Sequence, residues 1–118
     1  MKYALLIYSP EPTEPPSEEE IGEVMMAYNA FSQAVRDKGA YIGGEALEDS
    51  TTASTVRVRD GQVLTSDGPF AETKEVLGGF YLLDCANLDE ALSWAAQIPG
   101  AKNGSIEVRP VWEVPAQG

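Results

Sequence analysis

SDGPFAETKEVLGG, residues 66–79, joins a turn signal, an aromatic ring and the charged side chains Asp67, Glu72, Lys74 and Glu75 in one short stretch. Gly68 can take a positive φ, while Pro69 fixes its own φ and restricts the residue before it. The spacing predicts that Phe70 drops into the core as an anchor. Gly78 and Gly79 then let the chain swing into Phe80–Leu83. That run predicts a strand over Gly79–Asp84, apolar on both faces and therefore central. The stretch thus divides the chain, and the fold follows from what lies on either side.

Immediately upstream, Thr55–Arg59 and Gln62–Thr65 flank Asp60-Gly61, a strong hairpin signal. Before them lies a polar connection, Glu48–Ser54. It follows a predicted strand, Ala40–Leu47, kinked at Gly43 and Gly44. A helix precedes that strand. Ser17 and Glu20 form a capping box, and Glu18, Glu19 and Glu23 favour the positive end of the helix dipole. Ile21, Val24, Met25, Tyr28, Phe31 and Val35 recur every three or four residues and read as one buried face. Arg36, Lys38 and Gly39 mark the helix end. The chain opens on a two-sided apolar strand, Tyr3–Tyr8, followed by a proline-rich connection, Ser9–Pro16.

Downstream, Asn87 with Glu90 starts a shorter helix, with Leu88, Ala91, Leu92 and Ala95 as its buried stripe and Trp94 and Ile98 beside it. Pro99-Gly100 ends it. Ser105–Val111 alternates as a strand, with Ile106 and Val108 on one face and Glu107 and Arg109 on the other. Pro110 suggests an edge strand or the end of pairing. Trp112–Gly118 is a tail in which Trp112 can still pack.

The order is strand, helix, strand, then strand, helix, strand, with the hairpin inserted between the halves. Right-handed crossovers turn that order into an α+β, ferredoxin-like antiparallel sheet with both helices on one face, a single domain over residues 1–118. Two helices cover only one face, yet Ala4–Ile7 and Phe80–Leu83 are apolar on both. A second copy of the chain is the simplest cover, so a homodimer with facing sheets is expected, with a pocket between a sheet and the loops over it.

Composition narrows the function. The net charge of −11 opposes binding to nucleic acid or an anionic membrane surface. The chain has no histidine, which removes a His general base, Ser-His or Cys-His triads and His-containing metal sites. The single cysteine, Cys85, forms no internal disulfide and reads as a small buried residue. No metal or cofactor is called for. Ala4–Ile7 is too short for a signal core and no run approaches membrane-spanning length, so a cytoplasmic protein is expected.

DGPFAETKE at 67–75, together with KYALLIY at 2–8, TVRVRDG at 55–61, LGGFYLLD at 77–84 and GSIEVRPV at 104–111, resembles the DGPF-domain proteins of the YCII-related family across nearly the whole chain. The resemblance implies a ferredoxin-like fold, a dimeric α+β barrel and a small bacterial cytoplasmic protein. Related genes often lie near, or are fused to, those of extracytoplasmic-function sigma factors, which makes such a factor a candidate partner. The wider group resembles small-molecule enzymes, some with a His–Asp pair proposed as an active site. The His half has no counterpart here. Asp67 is the candidate for the acidic half by its position in the motif.

Two readings of the residues stay open. In one, a small-molecule enzyme uses Asp67 and Lys74 for acid–base chemistry on a small substrate, with Tyr8, Arg57, Phe70, Glu72 and Tyr81 binding it; a carboxylate base would need a pKa raised by burial. In the other, the same pocket serves a non-catalytic ligand-binding or regulatory dimer. Each residue also has a plainer role. Asp67 before Gly-Pro suits an Asx turn. Glu72, Lys74 and Glu75 suit a solvated bend. Arg57 is the preferred anion anchor, because its strand feeds the hairpin leading into the motif. Arg57, Arg59 and Arg109 also suit cross-strand pairing with Glu107. Tyr8 and Tyr81 suit core aromatics with one hydrogen-bond partner each.

Overall fold

The computed structural model describes residues 1–115. The last residues of the predicted tail, 116–118, lie outside the described part. The elements run β1 (Lys2–Pro10), α1 (Glu18–Asp37), β2 (Tyr41–Ala46), β3 (Ser54–Arg59), β4 (Gln62–Asp67), β5 (Glu75–Asp84), α2 (Leu88–Ala95) and β6 (Ser105–Pro110). Short 3-10 turns lie at Ser50–Thr52 and Pro99–Lys102. Four strands form an antiparallel sheet in the order β2-β5-β1-β6, and β3 pairs only with β4. This is an α+β arrangement with the strand order of a ferredoxin-like fold.

Local signals set the element ends. The Ser17 hydroxyl accepts from the Glu20 N–H at 3.1 Å. The Asn87 side chain accepts from the Glu90 N–H at 3.0 Å, and Glu90 in return accepts from the Ala86 N–H at 2.6 Å. These contacts satisfy N–H groups that a helix start leaves free. Asp60 and Gly61 both take positive φ, 52° and 76°, as a two-residue hairpin turn requires.

One face of the sheet carries the core. Tyr3, Leu5 and Ile7 on β1, and Tyr81 and Leu83 on β5, pack against Phe31 and Val35 of α1 and Ala91 and Ala95 of α2. The alternate residues Ala4, Leu6, Tyr8, Phe80 and Leu82 are half-buried. β1 and β5 are therefore central, as their apolar runs indicate, but this chain fully buries only their helix-side residues.

Several expectations change. β5 begins at Glu75 rather than Gly79: Gly78 is a bulge facing the Ile7/Tyr8 step of β1, and pairing continues through Leu77, Val76 and Glu75. A glycine pair that reads as a break is a kink inside a longer strand. The α1 stripe is buried only at Phe31 and Val35, with Tyr28 half-buried; Val24 and Met25 remain 53% and 59% exposed because the N-terminal half of the helix reaches past the packed core. On α2, Leu88 and Leu92 are exposed, and Ile98 beyond the helix end is fully buried instead. Phe70 is 78% exposed rather than a core anchor, and Trp112 is equally exposed.

The β3–β4 hairpin stands apart. Val56, Val58, Val63 and Leu64 are all exposed on it. The chain measures 51 × 48 × 19 Å with a radius of gyration of 16.6 Å. A compact chain of this length would have a radius of about 13.5 Å. The hairpin's reach explains the excess.

Candidate functional site

Two clefts flank the β2–β5 region. The first, of about 610 Å³, lies where Tyr8 on β1 and Glu75, Val76 and Leu77 on β5 meet two covering segments. One cover is the 3-10 turn with its flanks, Leu47 to Thr55. The other is the motif segment Pro69–Ala71, with Thr73. The motif turn is closed by Gly68, whose φ is +91°. Its N–H donates to Ala53 O at 2.6 Å, and its carbonyl accepts from the Thr55 hydroxyl at 2.9 Å. Arg57 reaches the Phe70 carbonyl at 3.5 Å and braces the segment from the hairpin side. On the opposite wall, Ser50 donates to Glu11, fastening the turn to the proline-rich connection. Glu75 is held by the Ser105 hydroxyl, 3.0 Å from each carboxylate oxygen.

The charged residues lining this cleft are Glu48, Asp49 and Glu75. The rest of the lining is largely apolar. Such a site favours a molecule with an apolar body and a positive group, since carboxylates attract cations and repel anions; Glu75 is half-buried, and Glu48 and Asp49 are exposed.

The second cleft, of about 420 Å³, lies on the helix side of the sheet. Val24, Met25, Tyr28 and Ser32 of α1 form its roof; Gly44, Gly78 and Gly79 lie in its floor. At its inner end the hydroxyls of Ser32 and Tyr81 are 3.0 Å apart. Burial pushes the Tyr28 phenol above its ordinary pKa and Tyr81 adds to the shift, while the Gly100 backbone opposes it. Tyr28 therefore stays a neutral hydroxyl at physiological pH.

The sequence-derived candidates separate accordingly. Tyr8 and Phe70 line the first cleft, and Tyr81 the second. Asp67 ends β4 opposite Ser54 and is exposed. Gly68 closes the turn, so no Asx bond is needed from the Asp67 carboxylate. Glu72 and Lys74 are exposed on the segment leading into β5. Among the described residues lining the two clefts, Asp67, Glu72, Lys74 and Arg57 do not appear. Arg109 pairs with Glu107 two residues away on its own strand at 3.2 Å, whereas Arg57 and Arg59 contact backbone carbonyls. Glu75 and the 3-10 turn were missed by the sequence reading. Glu75 looks like one more charge in a bend, and residues 48–54 look like a plain polar connection.

The sequence model of the YCII-related domain matches residues 1–115. The chain belongs to the YCII-related family. One relative, an uncharacterised protein of Rhizobium meliloti (strain 1021), is 44% identical over 114 residues, covering 94% of this chain and 92% of the relative. No helix among the described residues of this YCII-related chain is long and apolar enough to cross a membrane. Nor does any group of three or more Asp, Glu or Cys side chains among those residues come together as a metal site.

Cys85 sits outside both clefts. It is buried, and burial raises its thiol pKa from the ordinary 9.0. The carboxylates of Glu90 and Asp84 add to the shift, and the N-terminal ammonium opposes it. Cys85 and Tyr28 both favour the protonated form in the folded chain. Their contribution to stability is present below the unfolded values of 9.0 and 10.0 and is lost as pH rises through the raised folded values. The melting temperature should therefore fall above about pH 9. A thiol reagent at pH 8 should label Cys85 only after denaturation. Rapid labelling of the native protein, or a melting temperature flat to pH 11, would contradict this account.

Proposed function

We propose that this protein is a ligand-binding homodimer whose motif cleft takes a small molecule with an apolar, aromatic body and a cationic group such as an amine. The observation that carries the reading is the cleft's lining. Tyr8, Phe70 and Leu77 offer apolar and aromatic surface, and among the described residues Glu48, Asp49 and Glu75 supply its charges. Binding is favoured over acid–base catalysis because the candidate acid–base residues of the motif, Asp67 and Lys74, lie outside that lining, which takes only Glu75 from the motif's ionisable groups. The motif then works through its turn and through the Phe70 and Glu75 side chains that line the cleft. Gly68 fixes the turn and Pro69–Ala71 forms a wall.

The dimer follows from two unpaired apolar surfaces. Ala4, Leu6, Phe80 and Leu82 form a half-buried patch on the sheet face away from the helices, and Val56, Val58 and Val63 lie exposed on the hairpin. An isolated two-stranded hairpin is marginal in water, so an arm of this kind calls for a surface to lie on. A second copy supplies both covers at once.

Phenethylammonium and phenylacetate test the ligand class, since they share a ring and differ in charge. At pH 7, phenethylammonium should raise the melting temperature saturably, and phenylacetate should bind at least roughly tenfold more weakly. Glu75→Gln should remove most of that preference while leaving the protein folded. Equal effects of the two probes, or tighter binding of phenylacetate, would overturn the cationic assignment.

A further inference from the structure

We propose that the helix-side cleft is a second, separate ligand site that takes a small uncharged aromatic molecule bearing a hydroxyl group. Three observations converge on it. The first is a floor without side chains. A Cβ at Gly44 would lie 2.7 Å from the Phe80 carbonyl oxygen and 3.0 Å from the Tyr81 ring. At Gly79 it would lie 2.8 Å from the Glu45 carbonyl oxygen. The two approaches to backbone oxygens are far inside contact range, so the close strand pairing here requires glycine. At Gly44 and Gly79 the sheet therefore presents no side chain to the cleft, while Ile7 and Tyr81 of the same sheet line it.

The second observation is the roof. The apolar stripe of α1 continues through Val24 and Met25 at the spacing of Phe31 and Val35, yet only the latter two meet the core. Helical periodicity that persists past the packed region keeps an apolar surface over an empty floor. The space between is about 420 Å³, within the size class of pockets for small organic ligands.

The third is the chemistry of the inner end. Tyr28, Tyr41 and Tyr81 line it, and Tyr81 meets Phe31 edge-on with ring centroids 5.0 Å apart and Tyr41 at 6.4 Å. A flat ring fits among such edges. The Ser32–Tyr81 hydroxyl pair and the protonated Tyr28 phenol can each donate to, or accept from, a ligand hydroxyl. Among the described residues no basic side chain lines the cleft, and Glu45 on the edge strand is the one charged residue that does. An anion would be desolvated there without a partner, which is costly. With one carboxylate against three in the motif cleft, a cation has less to gain here than there. An uncharged hydroxyl-bearing ring is what remains.

The test uses 2-naphthol and 2-naphthoate at pH 7, followed through the Met25 methyl resonance of the wild-type protein. 2-Naphthol should shift that resonance saturably, and 2-naphthoate should bind at least roughly tenfold more weakly. Met25→Trp fills the cleft from an exposed position, so it should keep the native melting temperature while weakening 2-naphthol at least roughly tenfold. Ser32→Ala should also weaken it by freeing Tyr81 of its partner. Phe70→Ser, in the motif cleft, should leave 2-naphthol binding unchanged while weakening phenethylammonium. This separates failure of the present proposal from failure of the one above. Equal binding of the two naphthalenes, loss of 2-naphthol binding on Phe70→Ser, or its retention in Met25→Trp would overturn the second site. So would a Met25 resonance that moves with protein dilution and not with 2-naphthol, because the occupant would then be a second copy of the chain.

Discussion

Leu6→Lys should sediment as a monomer at micromolar concentrations where the wild type sediments as a dimer. Leu6 lies on the central strand β1, opposite Phe80 on β5 and Glu107 on β6, in the middle of the half-buried sheet face. If two such faces meet about a two-fold axis, an ammonium at this position is taken from water into an apolar contact, close to its own symmetry mate. Such a buried, unpaired charge costs several kcal/mol. A loss of about 3 kcal/mol weakens dimerisation by more than a hundredfold. The fold itself should survive, because Leu6 takes no part in the helix-side core, and far-ultraviolet circular dichroism would show this. A wild type that sediments as a monomer at the same concentration would end the dimer proposal. A Leu6→Lys protein that dimerises normally would remove this face as the interface.

Leu5→Ala, one residue away, should act in the opposite manner. Leu5 is 0% exposed and shares its core with Tyr3, Ile7, Phe31 and Val35. Truncation there leaves a cavity bounded by both central strands and α1. The expected loss in chemical denaturation is about 3 kcal/mol, in the range of buried leucine truncations. That would lower the melting temperature by on the order of 10 °C. Below about 1 kcal/mol, the assignment of Leu5 to a tightly packed core would be wrong. Adjacent residues thus separate folding from assembly, because successive side chains of a strand point to opposite faces of the sheet.

What the sequence made legible was whatever is written locally. Ser17 with Glu20, Asn87 with Glu90, and Asp60-Gly61 are chemical instructions to the backbone, and each produces the element it predicts. The central placement of β1 and β5 follows from apolar runs too long to face water. Burial was less legible, because periodicity states which side of a helix is apolar and not what lies against it. Val24 and Met25 carry the same signal as Phe31 and Val35, and only the glycine floor opposite distinguishes them. Gly78 and Gly79 misled for a related reason: the residue type is the same at a strand end and at a bulge, and the difference is settled by Ile7 and Tyr8 across the sheet. Of the motif, Phe70 lies exposed in a cleft with Tyr8 rather than in the core, a placement that involves residues 47–55 from before the hairpin.

The projecting hairpin also bears on how the molecule forms. β1, β5, β6 and the two helices gain their contacts within one chain, so that part can fold at a rate independent of concentration. As strands, β3 and β4 pair only with each other, and their valines lie in solvent. If the arm orders against a second copy, as proposed, that step is a second-order event. Synthesis rate and local crowding of nascent chains would set how long the valines stay bare. During that interval the arm is the segment through which newly made copies could exchange with, or adhere to, one another.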